Sequence, residues 1–410
     1  MTRTPTLRGA PVGRVRAALG TRDPLPGGRG FAGRIADPPG RSGPVLVRDV
    51  LGREPIFVER DATPETDRDP PTSDRDPTAP TNWSFDRHDL DDPVSVPAGG
   101  VASAEGTERV WTLPDDGPVD PDAGQAAVDT ALDDVLDDLA RDGGSADGAD
   151  GAGSVGESGA GDLAVAFSGG VDSGVVAAAV PNAPRYVAGF EGCHDVAAAR
   201  EAAAAADRPV DLRVVEITHE ELVRAARAVA HATGRRNPMD VAIAVPLYLV
   251  AEAAADDGFD RIAVGQGADE LFGGYSKVVD PADDHRVDAD TVRGARTETV
   301  RTLPDQLERD VLAIRAAGAE PVAPLLDDRI VDAALALPGA LLSAGGERKI
   351  ALRRAAAGRV PESVRTADKK AVQYGTYVSR ELDRLARRAG FKRRMDDHVG
   401  RYLDELLSDD

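Results

Sequence analysis

Lysine is scarce: Lys277, Lys349, Lys369, Lys370 and Lys392 are the only five among 49 basic residues, so nearly every cation is an arginine. Cysteine is scarcer still. Cys193 stands alone, which excludes a disulfide within the chain and a thiolate zinc cluster. No early apolar run has the form of a signal peptide, and none reads as long enough to cross a bilayer, so a cytoplasmic protein without a membrane partner is expected. Bases are outnumbered by 71 acids, for a net charge of -22, which argues against binding nucleic acid or anionic lipid. An acid-rich, lysine-poor, alanine-rich composition fits a halophilic cytosol and explains the charge without any partner. Where surface lysines have been lost, the five that remain draw attention.

The chain has 410 residues, enough for two domains. Residues 1–114 carry short apolar runs, Pro44 to Val47 and Pro55 to Val58, punctuated by Gly and Pro, and read as β-strands joined by turns. Within them Arg60 to Asn82 is rich in Asp, Pro and Thr and reads as a disordered or loose insertion. Val128, Ala131, Leu132, Val135, Leu136 and Leu139 share one face of a helix expected over Gln125 to Arg141. A flexible insertion of Gly, Ser, Ala and acid follows at 142–161. From Asp162 strands and helices alternate: strands at 163–167, 185–190, 210–217 and 261–264, helices at 172–180, 194–206, 219–232 and 239–256. That alternation implies a parallel sheet covered on both faces. After Gly274 no strand is evident, and the stretch from Thr297 reads as a helical lobe.

Ser168-Gly169-Gly170-Val171-Asp172-Ser173 follows the first of these strands and opens a helix. Ligands of parallel sheets bind beyond the carboxyl ends of strands. Glycines let backbone N–H groups approach an anion, and a helix N-terminus adds a favourable dipole. Ser168 and Ser173 can donate to phosphate oxygens, and Asp172 can hold Mg2+ on them. The plain alternative is a capped glycine-rich turn; the complete string after a strand favours a phosphate site. No Gly-Lys-Ser/Thr follows, so this is not a Walker loop. A second strand-end motif, Val264-Gly265-Gln266-Gly267-Ala268-Asp269-Glu270-Leu271-Phe272-Gly273-Gly274-Tyr275, repeats the design and offers a second carboxylate for Mg2+.

The first string resembles the PP-loop of ATP pyrophosphatases, and the pair resembles the synthetase domain of asparagine synthetases. The similarity extends through Gly189-Phe190-Glu191-Gly192 with Asp195, Glu320 to Asp327, Lys349 with Leu352-Arg353, and Asp368 to Gly375, over roughly residues 120 to 380. It implies an α/β chain: a parallel-sheet, adenine-nucleotide α-hydrolase-like PP-loop domain over 120–410 with a C-terminal helical lobe. A small β-rich, degenerate Ntn-like (glutaminase-like) domain over 1–114 precedes it. The resemblance implies that Ser168, Gly169, Gly170, Asp172 and Ser173 bind the phosphates of ATP. Phe167, Val264 and Gly265 would lie near adenine, and Asp172 and Asp269 would hold Mg2+. Lys369 matches the lysine that stabilises charge during adenylylation, with Lys370 next in register. The implied reaction joins a carboxylate, aspartate first, to AMP with loss of pyrophosphate, and then to ammonia.

Three departures stand out. Position 2 is Thr2 where the glutaminase nucleophile is a cysteine, although Leu46 to Phe57 and Trp83 to Pro114 still resemble glutaminase segments. Ammonia is therefore expected free or from a separate amidotransferase. Gln266 stands where the family has a glutamate, and an amide cannot act as a general base; Glu191 or Glu270 could take the proton, or the acceptor differs. Val322 and Ala323 occupy the stretch where an arginine is common. An amide- or lactam-forming ligase on another carboxylate, a non-catalytic nucleotide-binding relative and a tRNA-modifying PP-loop enzyme are the rival readings; the last lacks the expected basic surface. A homodimer stays open.

Overall fold

The computed structural model describes residues 6–62, 76–115, 117–143, 163–367 and 371–408. It forms two compact units, each gathered from separate stretches of chain. One comprises Met1–Ala127, Asp269–Glu308 and Leu326–Arg348; the other comprises Val128–Ala268, Arg309–Leu325 and Lys349–Asp410.

The first unit opens with β1 (Leu7–Arg8), α1 (Val12–Thr21), β2 (Ala32–Ile35), β3 (Val45–Arg48), β4 (Phe57–Glu59), β5 (Trp83–Ser84), β6 (Pro93–Ser95), β7 (Gly100–Ser103) and β8 (Gly106–Arg109). These make two antiparallel sheets, ordered β1-β2-β3-β7-β8 and β5-β4-β6. Ala32, Leu46, Ile56, Val58, Phe85, Val96 and Ala102 form their shared core. The turn after β3 is closed by its own charges. Asp49 accepts from the N–H groups of Leu51 and Arg53 and from Arg53 Nε, while buried Arg48 donates to the carbonyls of Gly52 and Val96 and to Glu308. Burial alone would lower the Arg53 pKa; Asp49 and Asp328 outweigh it and raise it.

The insertion expected at 60–82 is ordered at both ends. Arg60–Ala62 forms a 3-10 turn, and Thr78 is buried, its carbonyl accepting from Arg34 Nε. Asn82 Nδ2 closes that end on the Asp76 carbonyl. Here short Asx turns supply the order that apolar residues do not. Residues 63–75 lie outside the described residues. So does 144–162, which takes in nearly all of the insertion expected at 142–161.

Helix α2 (Pro121–Gly143) leads to the second unit: β9 (Leu163–Ala166), α3 (Val171–Ala179), β10 (Arg185–Gly189), α4 (His194–Ala204), β11 (Leu212–Glu216), α5 (His219–Thr233), α6 (Pro238–Asp256) and β12 (Arg261–Ala263). Its five-stranded sheet is parallel throughout, in the order β11-β10-β9-β12-β13. The last strand, β13 (Glu320–Val322), corrects the expectation of no strand after Gly274. Three residues with a proline carry too little periodicity to be read as a strand, and only pairing with β12 makes them one. A short hairpin, β14 (Ser343–Ala344) with β15 (Glu347–Arg348), is a second addition, in the first unit.

Alternate residues of the parallel strands face opposite ways. Ala164, Tyr186, Ala188, Ile262 and Val264 join a core built on α5 and α6; Val165, Phe167 and Val187 are buried as well. Helix α5 starts at Thr218, whose side chain accepts from Glu221 N–H, and stops at Gly234 in the left-handed conformation. Helix α6, 19 residues long, corrects the expectation about bilayer-length runs: it is long and apolar enough to cross a membrane by length and composition. Here it lies in the core, packed against β9 to β12, and Pro246 interrupts its hydrogen-bond ladder. Replacing Leu249 by Ala there should cost about 2–5 kcal/mol.

The remaining helices are α7 (Ala268–Phe272), α8 (Val292–Val300), α9 (Leu303–Ala316), α10 (Asp328–Leu335), α11 (Gly339–Leu342), α12 (Ile350–Ala355), α13 (Glu362–Thr366), α14 (Val372–Gly375), α15 (Val378–Arg388) and α16 (His398–Leu406). Apart from β13 to β15, the helical reading of the C-terminal stretch holds.

Candidate active site

The carboxyl edge of the parallel sheet brings the two strand-end motifs together. β9 and β12 are hydrogen-bonded neighbours at its centre, with Leu163 opposite Arg261 and Val165 opposite Ala263. A Cβ on Gly265 would lie 2.9 Å from the Asp172 carbonyl carbon and the Ser173 nitrogen, so the second motif's glycine packs directly on the first motif's helix. Any side chain at 265 would force the two turns apart. Gly169 is constrained in the same way: its φ is +77°, and a Cβ there would fall 2.6 Å from the Ala198 backbone.

The first turn is preorganised by its serines. Ser168 N–H donates to Ser173 Oγ at 3.2 Å, the two hydroxyls share a hydrogen bond at 3.1 Å, and Ser173 Oγ lies 3.3 Å from the Gly170 carbonyl. Gly170 caps α3 without any side chain, leaving the dipole end of that helix open to an anion. Asp172 enters this first helical turn, and Lys349 Nζ grips both of its carboxylate oxygens, at 2.7 and 2.9 Å. Lys349 takes a left-handed backbone, φ 58°, to do so. A non-glycine residue held there carries a conformational cost that the surrounding structure must offset. Four residues further on, buried Arg353 donates to the carbonyls of Arg365 and Ala367.

Ala367 is the last described residue before Asp368-Lys369-Lys370, so Lys369 and Lys370 lie outside the described residues. The chain resumes at α14, which is tied to the carboxyl end of β10. Phe190 N–H donates to the Thr376 carbonyl at 3.2 Å, and Gly375 passes so close to Asp195 that a Cβ would meet its carboxylate. Both ends of the lysine-bearing loop are therefore fixed within the second unit.

Gln266 does not face solvent as a spare amide. Its Nε2 donates to Asp310 Oδ2 at 2.6 Å. Asp310 is buried and takes Arg309 Nε at 2.7 Å, and Arg309 reaches Asp240 at 2.7 Å. Burial would raise the Asp240 pKa, but Asn237 and Arg309 prevail and lower it. Burial would likewise lower Arg309; Asp310 and Asp240 raise it instead. The amide is matched to its partner, since a glutamate at 266 would set two carboxylates against each other. Glu191 is exposed in the turn after β10. Asp269 and Glu270 open α7 and belong to the first unit, where Glu270 is buried and accepts from Tyr275 OH at 2.6 Å.

Among the described residues no three His, Cys, Asp or Glu side chains form a group that could hold a metal ion by themselves. One carboxylate beside a phosphate-sized turn is a donor set that suits Mg2+, which is commonly held by one or two carboxylates and the substrate's own phosphates. The asparagine synthase family model matches residues 159–292 and 280–406, more than half of the chain. The chain belongs to the asparagine synthase family. It is also 27% identical over 279 residues to the Methanocaldococcus jannaschii protein named "Putative asparagine synthetase (glutamine-hydrolyzing) 1", a match covering 60% of this chain and 50% of that protein. The chain thus spans about half the length of the curated relative it matches.

In this member of the asparagine synthase family, the structure gathers Phe167 to Ser173, Val264, Gly265 and Gln266 at one sheet edge. Sequence reasoning gave no role to Lys349, Arg309, Asp310 or Arg353. Two of these left a trace. Lys349 is one of five lysines, and Asp310 takes a core position in the series Leu303, Leu307, Asp310, Ile314, all buried along α9. Lys349 and Arg353 are also singled out by the resemblance, without a role, whereas Arg309 becomes legible only through its partners.

Proposed function

We propose that the chain is an AMP-forming carbon–nitrogen ligase that activates a carboxylate, aspartate first, with MgATP and transfers it to ammonia. A side-chain carboxylate oxygen attacks the α-phosphorus, the bond to the β-phosphate breaks, and pyrophosphate leaves. Ammonia then displaces AMP from the acyl carbon and loses a proton. The observation that carries the reading is the junction of Gly265 with Asp172 and Ser173, closed by Lys349.

In this reading Ser168, Gly169, Gly170 and Ser173 bind phosphate oxygens through N–H and O–H groups. The backbones of Phe167, Val264 and Gly265 line the adenine. Asp172 would hold Mg2+; the ion supplies charge neutralisation on the leaving pyrophosphate. Lys349 pairs with Asp172 and adds a cation at the same point. Lys369 stabilises charge growing on the α-phosphate, where preorganised cations act most strongly; the anchoring of Ala367 and Thr376 supports that role. Gln266 orients rather than transfers protons.

The test is release of pyrophosphate, AMP and asparagine from ATP, aspartate and ammonium by the full chain, abolished in Asp172→Ala. Folded protein that makes none of the three sinks the proposal. The Gln266–Asp310 pair favours a second reading, in which another carboxylate is the substrate. ATP–pyrophosphate exchange across a carboxylate panel separates the two, and exchange with aspartate alone counts against the second. We further propose that residues 1–114 are a degenerate glutaminase-like domain, and that the protein is cytoplasmic with ammonia supplied from outside the chain. Absence of glutaminase activity in the full chain, with ammonium-dependent synthesis retained, supports the first of these.

A further inference from the structure

A cavity of about 340 Å³ lies on the α3–α4 side of the parallel sheet, lined by Arg185 at the start of β10, by Val210 just before β11, and by the Phe167 ring beside the first motif. Arg185, the first residue of β10, lines it and is 9% exposed. Among the described residues no carboxylate pairs with its guanidinium, and its Nε is buried without a hydrogen-bond partner. The Phe167 ring lies 4.9 Å from its guanidinium carbon. A buried cation without a counterion is costly, and an unsatisfied buried donor calls for an explanation. In a chain with net charge -22, counterions are the last thing in short supply.

The rest of the lining is of two kinds. Arg208 stands at the rim and acts on Arg185 as a like charge, and burial together with that charge lowers the Arg185 pKa. Arg359 also borders the cavity but is paired with Asp133, and Asp207 contributes one rim carboxylate. Between these charged groups the lining carries apolar side chains: the Phe167 ring, Pro181, Val210 and Val360. A guanidinium beside a patch of apolar side chains is an arrangement that takes a carboxylate in a forked pair and shelters a hydrophobic body. An inorganic anion would satisfy the arginines and leave the walls without a partner.

We propose that this cavity is a binding site for a small organic carboxylate, its anionic end held by Arg185 and Arg208 and its apolar body laid against Phe167 and Val210. The test is calorimetric titration of the full chain with benzoate, with benzamide as the uncharged isostere and inorganic phosphate as the body-less anion. Benzoate is expected to bind saturably and the other two far more weakly. Arg185→Gln should weaken benzoate by about tenfold or more. Ala206→Phe fills the cavity while keeping Arg185, and should abolish binding; circular dichroism checks that each variant folds. If Arg185→Gln fails to fold, Ala206→Phe decides alone. No saturable benzoate binding, equal affinity in the cavity-filled variant, or equal binding of benzamide or phosphate would each overturn the proposal.

Discussion

Gln266 and Asp310 form a matched pair, and the match can be broken and remade. Gln266→Glu puts a second carboxylate 2.6 Å from the first, where the amide now donates. It should destabilise the chain by about 1–3 kcal/mol. Asp310→Asn in the same molecule should recover most of that loss, a coupling read directly from a double-mutant cycle of denaturant unfolding. Additive losses would mean that the two side chains do not depend on each other. Gly265→Ala is the sharper change at this scale. Its methyl group meets the Asp172 and Ser173 backbone, so about 1–3 kcal/mol of stability should be lost together with pyrophosphate release. Lys349→Met keeps the length of the side chain and removes the cation on Asp172. We expect a fall in kcat of about 10²–10³-fold with the fold intact, measured by pyrophosphate release.

Among the elements, α12 does its work at a distance. Arg353 holds the carbonyls of Arg365 and Ala367, just ahead of Lys369. Arg353→Met should lower kcat by about 10-fold to 100-fold, because small misplacements of a reacting group are that costly. KM for ATP should change little; a rise in KM with kcat preserved would assign Arg353 to nucleotide binding instead. The junction of α15 and α16 makes a prediction in pH. Hydrogen bonds from Arg393, opposed by burial and reinforced by His398 and Arg387, hold the Asp383 carboxyl well below the usual carboxylate range. A carboxyl depressed by folding adds stability that is fully present above its unfolded pKa, about 3.9, and is lost as pH falls through the folded value. Asp383→Asn should therefore lower Tm at pH 7, and the gap to the native chain should close progressively below about pH 4. A gap independent of pH would show that the residue acts by packing alone.

At the scale of the whole molecule, the excess of acid sets the response to salt. Like charges repel across a compact surface, and the screening length shrinks from about 10 Å at 0.1 M salt to about 3 Å at 1 M. Tm should rise steadily with KCl over that range, as thermal unfolding will show, and a flat profile would mean that the charge of -22 carries no such cost. The cavity beside Arg185 belongs to this scale as well, since an uncompensated cation is anomalous only against the charge of the entire chain.

Much of the second unit was legible because its signals are local. Alternating strand and helix patterns, glycines at strand ends and the Thr218 and Gly234 caps each act within a few residues, so spacing alone exposes them. The two motifs were legible for the same reason: a phosphate turn is made by consecutive backbone groups. Where the sequence misled, the signal was weak or had another meaning. Glu320–Val322 becomes a strand by pairing with Arg261–Ala263, and the apolar length of α6 serves a core rather than a bilayer. What tertiary structure alone decided were contacts between residues remote in sequence: Lys349 on Asp172, Gln266 on Asp310 and Arg353 on Ala367. A chain records the chemistry of each group it carries. Which group that chemistry meets depends on where folding brings the partner, and no spacing along the chain encodes it.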